Sequence, residues 1–249
     1  MDLVKNIKLK LEYDGTNYCG WQKQKNEKFI TLQGTLEKVI SNITKEKVEI
    51  TGASRTDSGV HAKGYICNFF TNSRIPPENL QKVINNNLPP DIVVLSSEEV
   101  SSEFHSRFCS KGKTYEYTIL NKSEPIAIGR NYVFHFKHKL NIDKMRIASK
   151  YFIGTYDFSA FQTKGSSVKT SVRTISKFEI NKSGDFIKFI ITGNGFLYNM
   201  VRIIVGTLIE IGLNKREPEY IEYVIKSKDR RKAGKCVPSS GLCLKEVFY

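Results

Sequence analysis

A charged, glycine-bounded loop between two apolar runs is the feature that most restricts how this chain can fold. The loop runs from residue 52 to 62 and reads Gly-Ala-Ser-Arg-Thr-Asp-Ser-Gly-Val-His-Ala. Before it, Val48 and Ile50 alternate with polar neighbours, and apolar residues resume at 65–70. Both flanks are therefore predicted strands. Strands hold a connecting loop in place while the loop exposes its side chains, so the chemistry of the protein is expected here.

Arg55 and Asp57 are the residues of this loop best suited to chemistry, with His61 close behind them. Side chains two positions apart in extended backbone point to the same side. A neighbouring guanidinium lowers the pKa of a carboxyl by roughly 1–3 units, and such a carboxylate can act as nucleophile or base in a closed pocket. The same residues also fit a surface ion pair or an Asx turn, with Gly59 supplying a positive φ. The loop alone leaves both interpretations open.

The chain is strongly basic, with 39 Lys and Arg against 25 Asp and Glu and a net charge of +14 over 249 residues. Such an excess suggests a polyanionic partner, usually a nucleic acid, although a lysine-rich proteome is an alternative explanation. The basic residues are spread along the chain and are densest at 226–235. This distribution favours a broad basic face over a disordered arm.

Cysteine, histidine and hydropathy patterns argue against several classes of protein. The five cysteines show no Cys-x-x-Cys spacing and the four histidines complete no zinc pattern, so free thiols and no structural metal are expected. The apolar runs are far shorter than the ~20 residues that cross a bilayer, so no membrane association is expected. The N-terminus lacks the apolar core of a secretory signal, and we expect a cytoplasmic protein.

Periodicity predicts an α+β protein. Residues 7–13 alternate apolar and polar as a half-buried strand does, and a helical stripe follows Thr31. The first hundred residues are predicted to form, in order, strand, helix, strand, loop, strand, helix and strand. The second half contains the same kinds of strand and helix. A boundary in the polar stretch 96–106 gives predicted domains at 1–103 and 104–249.

The second half contains a predicted β-hairpin over 176–192 and a predicted final strand over 242–249. A polar loop is predicted over 162–170. The most hydrophobic helix begins at Met200 and includes Arg202 among apolar residues. Arg202 requires either a buried partner or a side chain that runs along the helix to solvent, and the sequence leaves both open.

Five stretches, taken in order along essentially the whole chain, resemble those of the tRNA pseudouridine synthase A family. They are Tyr13-Asp14-Gly15-Thr16 with Gly20-Trp21-Gln22, Arg55-Thr56-Asp57-Ser58-Gly59-Val60-His61-Ala62, Lys113-Thr114-Tyr115-Glu116-Tyr117, Asn199-Met200-Val201-Arg202 with Ile204-Val205-Gly206, and Ala233-Gly234-Lys235 with Gly241-Leu242. The second and fourth stretches are the specific ones. The chain departs from the family pattern at Ser58, where alanine is usual, and over 235–238, which match more loosely.

The resemblance implies a pseudouridine synthase fold, with two α/β halves around a central basic cleft, that works as a homodimer without cofactor or metal. It also implies a tRNA substrate, modified in its anticodon stem-loop. Asp57 would be the essential aspartate and nucleophile, and Arg55 its ion-pair partner. Tyr115 would stack on the target base, and Arg202 would approach Asp57 from the second domain.

The residues fit this chemistry independently. Making pseudouridine breaks the N1–C1′ bond of uridine, turns the base and rejoins it through C5, so no water attacks and the carboxylate pair of a glycoside hydrolase is unnecessary. The best-matched loop carries one carboxylate. Two other functions remain open at this point: a non-catalytic tRNA-binding or RNA chaperone protein on the same scaffold, and an N-glycosylase or nuclease that also uses one aspartate.

Overall fold

The structure is a computed structural model that describes residues 4–26, 28–163, 165 and 169–249. It divides the chain into two units. Unit 1 comprises the residues up to Lys111 together with Leu244–Tyr249, and unit 2 comprises Gly112–Cys243. The division therefore falls later than the predicted boundary after residue 103, and the last six residues belong to the first unit.

Hydrogen bonds explain why the segment after residue 103 stays with unit 1. The Ser106 N–H donates to Asn68 Oδ1 (2.9 Å), and the Ser106 hydroxyl donates to the Thr51 carbonyl (2.7 Å). At the chain end, the Tyr249 hydroxyl donates to the Ser106 carbonyl (2.6 Å). These partners are distant in sequence, so composition around residue 103 carried no signal for them.

The described part of unit 1 is a sheet with two helices. Its elements are β1 (Lys5–Tyr13), α1 (Leu32–Thr44), β2 (Thr51–Gly52), β3 (His61–Thr71), α2 (Pro77–Asn85), β4 (Ile92–Val100) and most of β10 (Leu242–Phe248). The strand order is β4-β1-β3-β10, with β2 beside β3. β1 is antiparallel to both β3 and β4.

The first predicted strand and helix are confirmed. Ile7, Leu9 and Leu11 of β1 are fully buried, as the period of two predicts. The Thr31 hydroxyl accepts a hydrogen bond from Gly34 N (3.3 Å) and so caps α1.

The boundaries of several strands in unit 1 differ from those that the apolar runs indicate. Residues 48–50 form no strand, and within residues 48–52 only Thr51–Gly52 pair with β3. β3 begins at His61, so the last two residues of the predicted loop lie in the strand. β4 extends to Val100, well beyond its apolar start, because it lies at the edge of the strand order, where polar side chains can face solvent.

Among its described residues, unit 2 contains an antiparallel sheet, in the order β5-β9-β8-β7, and three helices. Its elements are β5 (Gly112–Leu120), β6 (Phe134–His135), α3 (Ile142–Lys150), β7 (Gly154–Asp157), β8 (Val172–Ser183), β9 (Phe186–Gly193), α4 (Met200–Gly212) and α5 (Tyr220–Ser227). Short 3-10 turns lie at Arg130–Tyr132, Ser159–Phe161, Arg230–Lys232 and Ser239–Gly241. Across the described ranges, no helix combines the length and apolar character that crossing a bilayer requires.

The predicted hairpin is confirmed by β8 and β9, and the predicted hydrophobic helix by α4. Residues 130–135 form a 3-10 turn and the two residues of β6, which run parallel to β5. The polar loop predicted over 162–170 falls partly outside the described residues.

α4 packs against α3 and β5 on one side and against the 233–237 segment on another. A Cβ at Gly206 would lie 1.8 Å from the Lys235 carbonyl oxygen. The Thr207 hydroxyl accepts a hydrogen bond from Gly234 N (2.9 Å). The 233–237 segment therefore lies directly on the helix backbone, at a distance that only glycine permits.

We expect Gly206→Ala to lower the free energy of unfolding by about 1–3 kcal/mol or more, because the added methyl must push the 233–237 backbone away. Urea denaturation followed by circular dichroism measures this. Gly195→Ala is the matched control, since a Cβ there would meet its nearest neighbour, on Arg173, at an ordinary 3.5 Å. Equal midpoints for the two variants would contradict the close approach.

Candidate active site

Asp57 lies in a tight turn of unit 1. The Val60 N–H donates to the Asp57 carbonyl (3.2 Å), and Gly59 has a φ of 75°, which glycine adopts without strain. The Asp57 side chain is partly buried and that of Arg55 is exposed. The positive φ predicted for Gly59 is confirmed.

A second loop, residues 14–22, holds this turn from the side. The Trp21 N–H donates to the Thr56 carbonyl (3.0 Å). The Tyr18 carbonyl accepts from both the Gly59 N–H (3.3 Å) and the Ser58 hydroxyl (3.2 Å). Three hydrogen bonds therefore fix the backbone on both sides of Asp57.

Two glycines allow the loops to approach this closely. A Cβ at Gly15 would lie 2.0 Å from the Val60 carbonyl oxygen. Gly20 has a φ of 86°, and a Cβ there would lie 2.7 Å from the Thr56 carbonyl oxygen. The first two sequence stretches that carry the family resemblance are thus in direct backbone contact.

Buried aromatic rings support the two loops from below. The Tyr13 hydroxyl is hydrogen-bonded to the Thr56 hydroxyl (2.8 Å). The Trp21 and Tyr65 rings stack at 4.0 Å between centroids, and the Tyr65 hydroxyl donates to the Ser54 carbonyl. Trp21 is 2% exposed and is a core residue.

The ion pair expected between Arg55 and Asp57 is not formed. In the part of the chain that the structure describes, the Arg55 guanidinium makes no salt bridge or hydrogen bond. The expectation assumed extended backbone, whereas residues 55–57 lie outside any strand and lead directly into the turn. The alternation of a strand therefore does not apply to them.

His61 is a buried residue that contacts the 14–22 loop. It is 6% exposed at the start of β3, and its Nδ1 lies 3.1 Å from both the Asp14 carboxylate and the Gly15 N–H. It therefore links β3 to the 14–22 loop.

Tyr115, the predicted stacking residue, lies in β5 of unit 2 opposite Ile191 of β9. Its ring packs edge-on against Phe196, with 5.1 Å between centroids and an interplanar angle of 82°. Tyr115 is only 7% exposed. Only a small part of its surface is therefore available for contact with a base.

Arg202 lies in the first turn of α4, as predicted, and its guanidinium is bound by protein groups. Nε donates to the Val237 carbonyl (2.7 Å) and Nη1 donates to Asn199 Oδ1 (2.7 Å). Of the two positions left open by the sequence, the structure therefore shows the partnered one. Burial raises the pKa of the neighbouring Tyr117, although Arg202 acts to lower it, and the Tyr117 hydroxyl donates to the Pro238 carbonyl (2.7 Å).

Part of the predicted basic patch lines a cleft of about 720 Å³ in unit 2, here called the 228–231 cleft. Its lining residues are polar or charged: Ser159, Gln162, Thr163, Gly165, Lys228, Asp229, Arg230 and Arg231. Arg231 donates two hydrogen bonds to Asp229 (3.0 and 2.8 Å), and Lys228 pairs with Asp157 (3.1 Å). Two of its lining cations, Lys228 and Arg231, are therefore paired with carboxylates, whereas Arg230 donates to the Ala233 carbonyl (3.1 Å).

Asp157 binds Lys228, a lining residue of this cleft, and the sequence analysis did not identify it. Partial burial acts to raise its pKa, but hydrogen bonds from Ser171, Lys228 and Ser159 outweigh burial and lower the pKa to about 2. Lys228 is far from Asp157 in sequence, so no local pattern could indicate the pair. Within the described ranges, no group of three or more His, Cys, Asp or Glu residues could hold a metal ion.

Comparisons with known proteins agree on one family. A family model described as tRNA pseudouridine synthase matches residues 11–109 and 148–249. The chain is 58% identical over 246 residues to the tRNA pseudouridine synthase A of Clostridium acetobutylicum, an alignment that covers 99% of this chain and 100% of that protein. It is 56% identical to the tRNA pseudouridine synthase A 2 of Clostridium perfringens and 55% identical to the tRNA pseudouridine synthase A of Clostridium kluyveri, with the same coverage.

Among solved structures, a chain of the Cbf5-Nop10-Gar1 complex matches with a TM-score of 0.39 and 12% identity. The match covers 96% of this chain and 48% of that one.

We expect the stabilising effect of Asp157 to depend on pH. Its folded pKa of about 2 lies below the unfolded value of about 3.9, so its contribution is present above about pH 4 and is lost as the pH falls toward 2. The difference in urea midpoint between the unmodified protein and Asp157→Asn should therefore shrink between about pH 5 and pH 2.5.

Asp143→Asn is the control, because the Asp143 side chain is 87% exposed in a surface pair with Arg146. Its midpoint difference should be small throughout. A difference for Asp157→Asn that does not change with pH would contradict the assignment.

Proposed function

Since this chain belongs to the tRNA pseudouridine synthase family, and is therefore an isomerase, we propose that it converts uridines of the tRNA anticodon stem-loop to pseudouridine with Asp57 as the nucleophile. The observation that carries the proposal is the immobilised turn around Asp57. Its backbone is fixed by hydrogen bonds from the 14–22 loop, while Asp57 as a whole stays partly exposed. Positioning of this kind is what a reaction at one carboxylate requires.

The reaction conserves the atoms of the substrate. The N1–C1′ bond breaks, the uracil turns, C5 bonds to C1′, a proton leaves C5 and N1 carries a proton in the product. An ionised carboxylate can add covalently, or can assist the departure of the uracil and later take the C5 proton. Either route requires one carboxylate and no attacking water, which matches a loop with a single acidic residue.

The target uridine must leave its stack, at a cost of a few kcal/mol. We propose that stacking on Tyr115 offsets this cost, since a base stacked on an aromatic ring gains about 1–3 kcal/mol of binding free energy. Contact with Phe196 already orders the Tyr115 ring, so little side-chain entropy is lost when a base stacks on it.

The proposal also gives each of the two arginines a role. Arg55 is exposed and has no ion pair with Asp57, which supports contact between its guanidinium and the RNA. Arg202, with a guanidinium oriented by Asn199 and Val237, serves the same reaction as a fixed positive charge. We further propose that the protein acts as a cytoplasmic homodimer.

Asp57→Asn should retain tRNA affinity and lose turnover, because the turn and its hydrogen bonds survive while the nucleophile does not. Turnover is measured by tritium release from tRNA that carries C5-labelled uridine, and affinity by fluorescence anisotropy. Asp57→Glu keeps the charge but moves it by one methylene, and a misplacement of about 1 Å can cost 10²-fold in rate.

Near-normal turnover by Asp57→Asn would refute the role of Asp57. A transcript whose anticodon stem-loop uridines are replaced by cytidine should release no label. No release from any tRNA by folded, unmodified protein would instead support a non-catalytic tRNA-binding protein. A cleaved or abasic strand, rather than RNA of unchanged mass, would support a glycosylase or nuclease.

The 228–231 cleft and its flanks are proposed to bind tRNA phosphates. Replacing Lys226, Arg231 and Lys232 with alanine should weaken tRNA binding. It should also make the logarithmic dependence of the binding constant on salt concentration shallower by about 1 for each phosphate that the variant no longer neutralises. The matched control replaces Lys177, Lys182 and Lys188, which removes the same charge from β8 and β9. Equal changes in both triple variants would assign the effect to net charge and not to this surface.

A further inference from the structure

Asn199, the residue before α4, has a backbone conformation that its position does not explain. It has a φ of 62° and a ψ of 8°, in the left-handed region. Residues that precede a helix usually have extended backbone, and left-handed residues usually follow one. The other non-glycine residues with positive φ in the described ranges do follow helices, namely Lys45, Asn214 and Lys228.

The Asn199 side chain does not cap the helix either. It makes no hydrogen bond to the N–H groups of the first turn of α4. Instead, its Oδ1 accepts from Arg202 Nη1 (2.7 Å) and its Nδ2 donates to the Thr163 hydroxyl (3.0 Å). Since arginine can only donate, the amide oxygen must face Arg202, and the orientation of the amide is thereby settled.

These bonds fix the Arg202 guanidinium at two points. Asn199 holds Nη1 from three residues before Arg202, and the Val237 carbonyl holds Nε from a distant segment. Because the guanidinium is planar and rigid, two bonds to separate nitrogens determine its orientation. Loss of either bond would remove one of the contacts that set this orientation.

Thr163 holds the far end of the Asn199 amide. Its N–H donates to the Tyr198 carbonyl (3.2 Å), so Thr163 bonds both to the backbone before Asn199 and to the Asn199 side chain. Thr163 is also a lining residue of the 228–231 cleft. Two hydrogen bonds in series therefore connect this cleft to Arg202.

We propose that Asn199 is a positioning residue for Arg202, that its side chain and not only its backbone conformation is required, and that Thr163 anchors it. The inference rests on the proposed function in one respect, that Arg202 serves the isomerisation. The left-handed backbone places the amide where it can reach Arg202 and Thr163 at once, which a capping asparagine in extended backbone does not do.

Asn199→Gly separates the two roles, because glycine adopts the left-handed conformation readily and removes only the side chain. We expect a thermal midpoint equal to or above that of the unmodified protein, unchanged tRNA affinity and a single-turnover rate lowered about ten- to a hundredfold. Asn214→Gly is the matched control, since it changes another left-handed asparagine (φ 57°) just after α4 and should leave the rate unchanged. An unchanged rate in Asn199→Gly would overturn the inference.

A double-mutant cycle tests whether Asn199 acts through Arg202. Arg202→Lys keeps the positive charge but lacks the planar fork that Asn199 and Val237 hold together. Arg202→Lys should lower the rate about as much as Asn199→Gly, and the double variant should be no slower than Arg202→Lys alone. Rates that multiply, or full turnover by Arg202→Lys beside a slow Asn199→Gly, would overturn the inference and leave the role of Asp57 intact.

Thr163→Val removes the anchoring hydroxyl and should lower the rate by less than Asn199→Gly does. A rate equal to that of the unmodified protein would exclude the anchoring role. Normal turnover by Asp57→Asn would refute the proposed function separately, since the coupling between Asn199 and Arg202 is read from rate ratios among other variants.

Discussion

The close approach of two backbone segments in unit 1 is the constraint on which the candidate site depends. Residues 14–22 lie against residues 56–60 at distances that exclude a Cβ at Gly15 or Gly20. Hydrogen bonds between the segments then use backbone groups near Asp57, while Tyr13 and the Trp21–Tyr65 stack fill the space beneath. The Asp57 carboxylate is consequently presented by a backbone with little freedom, although it lies in a loop. Restricted motion of this kind reduces the entropy lost when a substrate is bound in a reactive geometry.

Unit 2 orders its arginine by a related arrangement. The absence of a side chain at Gly206 lets the 233–237 segment lie on α4, and that packing keeps the Val237 carbonyl within reach of Arg202. Asn199 supplies the second hydrogen bond from the start of the same helix. The packing of α4 against the 233–237 segment thus helps to set the orientation of the Arg202 guanidinium. The glycine and the asparagine are as much a part of that orientation as the arginine itself.

The positive charge of the protein has two components that the structure distinguishes. The excess of 14 charges favours association with a polyanion and makes that association sensitive to salt. In the 228–231 cleft, Lys228 and Arg231 are already paired with carboxylates. Such pairs contribute less net attraction but reduce the side-chain freedom that binding would otherwise have to remove. The net charge therefore favours encounter with a polyanion, whereas the paired cations have less side-chain freedom to lose on binding.

The sequence by itself determined the α+β class, the β1 strand, the Thr31 cap of α1, the β8–β9 hairpin, α4 and the family, because periodicity, capping residues and short motifs are local signals. It also determined which residues are the candidates for chemistry. Only the tertiary structure decided how those residues are held. Arg55 does not pair with Asp57, because a turn replaces the extended backbone that the spacing assumed. Lys228 binds Asp157, and the chain end returns to unit 1, through contacts between segments far apart in sequence. Asn199 binds Arg202 and Thr163 from a backbone conformation that no local pattern specifies.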